Sequence, residues 1–433
     1  MVKNLRDALR LPGLAGRLPF GRNGHGDGRA YYSVLDVGTE LAKALVFVVE
    51  DGRGEVLGVG RQPQGHLDME DGLVTDIEAV VENCHLALQQ AETMAGVGGR
   101  DAVVGMAGEL TKGLSTTTTV ERAKPWEKLT VPEIERVLQK VQKTALEQVS
   151  EQIAWETGLE GIDVRLVNSA VVSVRIDGHA VSNPVGFQGR HLTVTVFNAF
   201  APLVHVGAMK TIVESLDLEL LAIVAEPYAV ASALTDRPAL DYGGIVIDIG
   251  GGTTDVALLR NGGIEGTKTF ALGGRAFTKR VAMRRSLTFD AAENLKLRYA
   301  RGELDPAEGV RISSALVSDV QTWMDGVQLL LEELAGEGQL PPYVYLCGGA
   351  SGLPDLQKML GGFDWAGQLP MSRAAEIKIL TPADIGAMHD TTGRLTEPRD
   401  VTPLGLAYQV LALERESGIV SDALQQTVQR MGI

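Results

Sequence analysis

Three glycine-rich turns carry the residue types that handle phosphate chemistry. The middle one is Asp248-Ile249-Gly250-Gly251-Gly252-Thr253-Thr254-Asp255, directly behind the β-branched run Ile245-Val246-Ile247. The first is Asp36-Val37-Gly38-Thr39, behind the apolar stretch YYSVL. The third, Leu346-Cys347-Gly348-Gly349-Ala350-Ser351-Gly352, ends the strand-like YVYL. A residue without a Cβ lets the backbone approach a phosphate closely and aim N–H groups at its oxygens. Threonine hydroxyls add donors. Aspartates repel phosphate, so their use in such a turn is to hold Mg²⁺ through water or to orient an attacking water. The first two turns can thus clamp a triphosphate from both sides. The small residues of the third let the backbone lie flat against a base or ribose. A tight hairpin needs only two special residues, far fewer than DIGGGTTD supplies. The first and third turns, each alone, read equally well as ordinary turns; their order along the chain gives them weight. No GxxxxGK[ST] sequence is present, so a Walker-type phosphate loop is excluded.

The elements that must position these turns follow a repeated plan. KALVFVVEDGRGEVLGVGRQ reads as a hairpin turned at Asp51-Gly52. IEAVVENCHLALQQAETMAG has helical period and DAVVGMAG reads as a buried strand. Residues 109–200 change character: STTTTV is strand-like, VPEIERVLQKVQKTALEQV is a helix with Pro132 near its start, and further strands follow. APLVHVGAMKTIVESL is a helix and LLAIVAEP a short buried strand. After Asp241 the plan restarts: VIDIGGGTTDVALLRNGGIEGTKTFAL repeats VLDVGTELAKALVFVVEDGRGEVLGVG in kind and order. Such a duplication predicts two similar α/β lobes facing each other across a cleft.

The bulk numbers set limits. The 433 residues are 45% hydrophobic, enough for a large core. A net charge of −15 argues against a general nucleic-acid binder, which needs clustered Lys and Arg. Cys84 and Cys347 form no CxxC pair, so neither a disulfide scaffold nor a zinc site is expected. No uninterrupted apolar run reaches about 18 residues, and the N-terminus lacks a secretory h-region. Residues 1–29 carry six basic side chains against two acidic ones. Within them VKNLRDALRL places Val2, Leu5, Ala8 and Leu9 on one helical face. That segment reads either as a disordered extension or as a short amphipathic anchor for a membrane or partner.

Asp-x-Gly-Thr, DIGGGTTD and CGGAS, in that order, resemble the actin-like ATPase superfamily. Within it the chain is similar to the FtsA family over residues 31–412, and next to the PilM family. The inserted segment 109–200, with VRIDGHAVSNPVGFQGRHLTVTVFNAFAPLVHVGAMKTIVESLDLEL, points to these two, and AAENLKLRYARG and VTPLGLAYQVLAL match in order. The resemblance implies an actin-like fold: two duplicated α/β lobes around a nucleotide cleft with an inserted small α+β subdomain. Its parts are an extension at 1–29, the first lobe at 30–108 and 201–240, the insert at 109–200, the second lobe at 241–412 and a tail at 413–433.

The resemblance also implies a site for ATP and Mg²⁺. Asp36 and Asp255 would hold the metal, and Glu226 and Asp248 would stand near the attacking water, with roles open to exchange among the four. Gly38, Thr39, Gly250, Gly251, Gly252, Thr253 and Thr254 would meet the phosphates. Gly274, Glu293, Lys296, Gly348, Gly349, Ala350 and Ser351 would meet the nucleoside. The implied function is a cell-division protein on the cytoplasmic face of the bacterial inner membrane. It would self-assemble into filaments, organise a polymer of the FtsZ type and turn over ATP slowly at most. The family's basic C-terminal amphipathic helix has no clear counterpart in SGIVSDALQQTVQRMGI, so residues 1–29 are the candidate replacement. The alternatives are a PilM-like pilus-assembly scaffold and a small-molecule kinase. The insert, strand-rich and without an Asp/His cluster, speaks against the kinase.

Overall fold

Hydrophobic runs with period two become the strands that end at the glycine turns. The computed structural model describes residues 29–415, except 160, 235, 236 and 261. The readings of residues 1–28 and of most of the tail therefore lie outside the described residues. The first lobe opens with β1 (Tyr31–Val37), β2 (Leu41–Glu50) and β3 (Arg53–Pro63), turned at Asp51-Gly52 as the sequence predicts. A short hairpin of β4 (Met69–Glu70) and β5 (Leu73–Val74) follows, then helix α1 (Ile77–Ala95) and strand β6 (Asp101–Met106). The Asp76 carboxylate accepts from Ala79 N and caps α1, and left-handed Gly96 ends it. The helix buries Val80, Val81, Cys84, Ala87, Leu88 and Ala91. It lies directly on β3, where Gly58 and Gly60 stand in for side chains. A Cβ at Gly60 would come 1.8 Å from Ala87 O.

The insert contributes β7 (Lys112–Glu121), α2 (Val131–Thr157), β8 (Val164–Ile176), β9 (His179–Ala180) and β10 (His191–Pro202). The chain returns through α3 (Leu203–Ser215), β11 (Glu219–Ala225), α4 (Glu226–Ala233) and α5 (Arg237–Tyr242). The second lobe holds β12 (Gly244–Ile249), β13 (Thr254–Arg260), β14 (Gly263–Phe270), α6 (Gly274–Arg285), α7 (Phe289–Ala300) and α8 (Pro306–Ala335). It continues with β15 (Tyr343–Cys347), α9 (Pro354–Leu360), α10 (Phe363–Ala366) and β16 (Glu376–Ile379), and the chain then returns to the first lobe with β17 (Met388–Asp390), on the edge beside β3, and α11 (Val401–Arg415). Asp305 caps α8. The helix buries Ile312, Leu316, Val320, Trp323, Val327 and Leu331 at spacings of three and four, one apolar stripe against the sheet.

The two lobes repeat each other strand by strand. The first sheet runs β11-β6-β1-β2-β3-β17, and the second begins β16-β15-β12-β13-β14. In each, a parallel pair (β1 with β6, β12 with β15) adjoins two antiparallel hairpins. The second sheet then continues through β7, β10, β8 and β9, joined by Gly266 opposite Leu114 and Thr267 opposite Gly113. The insert, which departs from the first lobe in sequence, is thus sewn to the sheet of the second. One buried cluster fills the first lobe and extends onto one face of the second sheet through Val246, Ala257 and Tyr345, a second cluster lies on the other face of that sheet, and the insert has its own under α2. No described helix is long and apolar enough to cross a membrane.

Candidate functional site

The ladder geometry brings the acidic residues together. Asp36, next to last in β1, pairs directly with Lys43 on β2. Asp248 near the end of β12 pairs directly with Asp255 on β13. Both pairs are seven residues apart, so the duplicated hairpins carry one aspartate in the same place. Opposite it stands a lysine in one lobe and a second acid in the other. In the first lobe the Lys43 ammonium donates to Asp36 Oδ2 at 2.8 Å and to Arg399 O at 3.0 Å. In the second, like charges face each other and hydroxyls take the place of a cation. Thr402 donates to Asp248 Oδ2 at 2.6 Å, and Thr269 and Thr253 donate to the two oxygens of Asp255 at 2.6 and 3.1 Å. Glu226, the first residue of α4, brings a fourth buried carboxylate, whose Oε1 has no hydrogen-bond partner among the described residues.

Four buried carboxylates around one lysine carry excess negative charge. Burial pushes the Glu226 carboxyl well up, and Asp36, Asp255 and Asp248 push it further. Burial and Asp248 raise Asp255 to about 7 against the pull of its two threonines. Asp248 is raised by burial, opposed by Thr402 and Lys43. Burial alone would lower Lys43, but Asp36 outweighs it and the ammonium is held above its usual value. Such a donor set favours an added divalent cation. Among the described residues no three His, Cys, Asp or Glu side chains converge closely enough to chelate one unaided. A cation here would complete its shell with water and ligand oxygens.

One cavity of about 310 Å³ joins these groups to the glycine turns. Asp36, Gly38, Thr39, Glu226, Asp248, Gly250, Gly251, Thr253, Asp255, Gly274, Glu293, Lys296, Gly348, Gly349 and Ala350 all line it. At its far end Lys296 Nζ, on α7, bonds Glu293 Oε2 at 2.7 Å, Thr278 Oγ1 at 2.8 Å and Gly274 O at 3.1 Å. Gly348 takes φ 88°, and a Cβ there would lie 2.1 Å from Asp248 Oδ1. Its lack of a side chain seats the third turn against the acidic cluster.

Three of the expected residues do not line the cavity. The Thr254 hydroxyl is turned into the core, donating to Leu272 O and accepting from the Trp323 indole. The Ser351 hydroxyl donates to Gly348 O and shapes its own turn. Gly252 faces the β4–β5 hairpin, where a Cβ would meet Thr39 and Asp71. The threonine alternation explains the first: successive side chains on a strand point to opposite faces. Sequence reasoning missed Lys43, Thr269 and Thr402, which complete the cluster. Lys43 had a visible signal, as a single cation inside the buried run LAKALVFVV seven residues after Asp36. Thr402 had none, because it returns 154 residues after its partner.

Known proteins match this chain in sequence and in shape. The family model described as "Cell division protein FtsA" matches residues 245–361. The cell division protein FtsA of Neisseria meningitidis serogroup B is 28% identical over 409 residues, covering 89% of this chain and 91% of that protein. FtsA of Bacillus subtilis is 26% identical, covering 76% and 75%. Among solved structures, a chain of the PilM–PilN type IV pilus biogenesis complex superposes with TM-score 0.63 at 20% identity. It covers 88% of this chain and 98% of that one. The duplicated lobes, the cleft between matched hairpins and the solved structure agree on the actin-like ATPase fold, and in sequence the chain is similar to the FtsA cell-division proteins over most of its length.

Proposed function

We propose that this cell-division protein binds ATP with Mg²⁺ in the cleft and uses occupancy, more than turnover, to control its assembly. The observation that carries the reading is the single cavity. It collects both duplicated turns, the third turn and the Glu293–Lys296 pair. Gly38, Thr39, Gly250, Gly251 and Thr253 would face the phosphates, with Lys43 as the resident positive charge. Gly274, Glu293, Lys296, Gly348, Gly349 and Ala350 would hold the nucleoside. Asp36 and Asp255 would hold the cation through water, and it would supply charge compensation for phosphates and carboxylates alike. Glu226 Oε1 and Asp248 stand where an attacking water would be oriented.

In this reading the protein self-assembles into filaments on the cytoplasmic face of the bacterial inner membrane and organises an FtsZ-type polymer. Residues 1–29 would be the anchor. Each basic residue near an anionic surface contributes about 1 kcal/mol, so one copy binds weakly and a filament binds by avidity. Calorimetry with Mg-ATP tests the cleft. A Cβ at Gly251 would lie 2.5 Å from Glu40 Cγ, so Gly251→Val drives side chains into the phosphate path and should abolish binding. Unchanged affinity would refute the assignment. Pelleting with anionic vesicles and an FtsZ-type polymer, with and without residues 1–29, tests the anchor and the partner.

A further inference from the structure

Arg275 belongs to the second lobe, yet its guanidinium is spent entirely on the first. It is the second residue of α6, and its backbone N–H bonds Gly251 O at 2.8 Å, fixing it to the second phosphate turn. Its side chain crosses the cleft. It donates to Thr39 O at 2.7 Å and Met69 O at 2.9 Å, and it ion-pairs with the Glu40 carboxylate. The side chain is only 11% exposed. One residue therefore ties the first phosphate turn to the second and also holds the β4–β5 hairpin. The hairpin has a second fastening. The His66 ring packs edge-on against Phe289 at 4.2 Å, and its Nε2 lies 3.3 Å from Asp290 Oδ1.

We propose that Arg275 is a positioning residue for the phosphate site and the clasp that sets how fast nucleotide leaves; this rests on the reading of the cleft as an ATP site. A ligand seated between two turns leaves only when the turns separate. Separation breaks every guanidinium contact at once, because all its acceptors lie in the other lobe. The rigid fork of arginine serves several acceptors together, and a lysine ammonium cannot reproduce that geometry. Glu40 is the charged end of the clasp, which gives a purpose to an acid placed beside a phosphate turn.

The test uses the full chain loaded with Mg²⁺ and a fluorescent ATP analogue, chased with excess ATP in stopped flow. Arg275→Ala should raise the dissociation rate at least tenfold and change association less than threefold, with Arg275→Lys and Glu40→Gln in between. Glu40→Gln keeps the side-chain volume and the backbone contacts, so it tests the clasp if Arg275→Ala fails to fold. Hydrogen exchange of the nucleotide-free chain provides a readout that needs no ligand. Arg275→Ala and Glu40→Gln should both speed exchange of backbone amides in 64–76 while leaving α11 unchanged. Dissociation within twofold of wild type in both variants, or unchanged exchange in 64–76, overturns the proposal. Failure of the wild-type chain to retain the analogue would overturn the ATP reading instead, and exchange in 64–76 would then decide the clasp alone.

Discussion

Asp255→Asn should make the nucleotide-free protein more stable at pH 8 and abolish its response to Mg²⁺. The carboxyl is 3% exposed, faces Asp248 across the ladder, and rises from about 3.8 to about 7. A raised acid binds its proton more tightly in the folded chain than in the unfolded one. Its stabilising contribution is therefore complete below about pH 4 and is lost as the pH rises through about 7. At about 1.4 kcal/mol per pH unit, ionised Asp255 destabilises the empty site by about 4 kcal/mol at pH 8. Asparagine keeps the shape and removes the charge, but it must rearrange the hydrogen bonds from Thr269 and Thr253. That rearrangement costs about 1 kcal/mol, leaving a net gain of about 3. A lobe-sized unit gains about 2–4 °C of melting temperature per kcal/mol. The assay is thermal melting in EDTA from pH 4.5 to 8.5, for wild type and variant. The two curves should converge at the acid end and diverge by several degrees at pH 8. Added Mg-ATP should raise the melting temperature of wild type and leave the variant nearly unmoved. A variant less stable than wild type at pH 8, or a difference that does not vary with pH, would refute the reasoning.

Lys43→Met leaves Asp36 buried without its cation and should cost about 3–5 kcal/mol, and calorimetry should show ATP binding lost with it. Gly60→Val forces a side chain into the carbonyl of Ala87, 1.8 Å from the ideal Cβ; chemical denaturation should show a loss of 3 kcal/mol or more, roughly the upper range for single substitutions. Arg122→Ala removes the bidentate pair to Glu133 and the bonds to Gly189 O and Glu127 O. It should open the insert to proteolysis while Mg-ATP affinity in the cleft stays within a factor of about three, since additivity holds for distant sites.

How much was legible follows from where the information lies. The glycine turns, the duplication and the acids that end strands are local features, and each is marked by its own place in a repeat of strand, turn and strand. The cluster that makes the site work is assembled by register. Asp36 meets Lys43, and Asp248 meets Asp255, because two seven-residue steps fold back on themselves. Nothing in the composition of either turn states that one pair is attractive and the other repulsive. The hydroxyl of Thr402, on the last described helix, and the guanidinium of Arg275, 235 residues from Glu40, enter only through the tertiary fold. Thr254 shows the opposite failure: it sits inside the most telling motif, yet the strand's alternation turns it onto Trp323.

The asymmetry between the duplicated hairpins also accounts for the division of labour across the cleft. The first lobe neutralises its aspartate internally with Lys43, at 2.8 Å, and so is complete without a ligand. The second lobe sets two acids opposite each other and quiets them with hydroxyls, a weaker compensation than a full charge. The unmet demand for positive charge therefore lies on the second lobe and on Glu226, which reaches in from the first lobe's return segment. On the proposed reading, a cation arriving with a nucleotide would favour an arrangement that keeps all four carboxylates within its field over one in which the lobes stand apart. Occupancy would thereby be coupled to the angle between the lobes, and a neighbouring copy in a filament would read that angle.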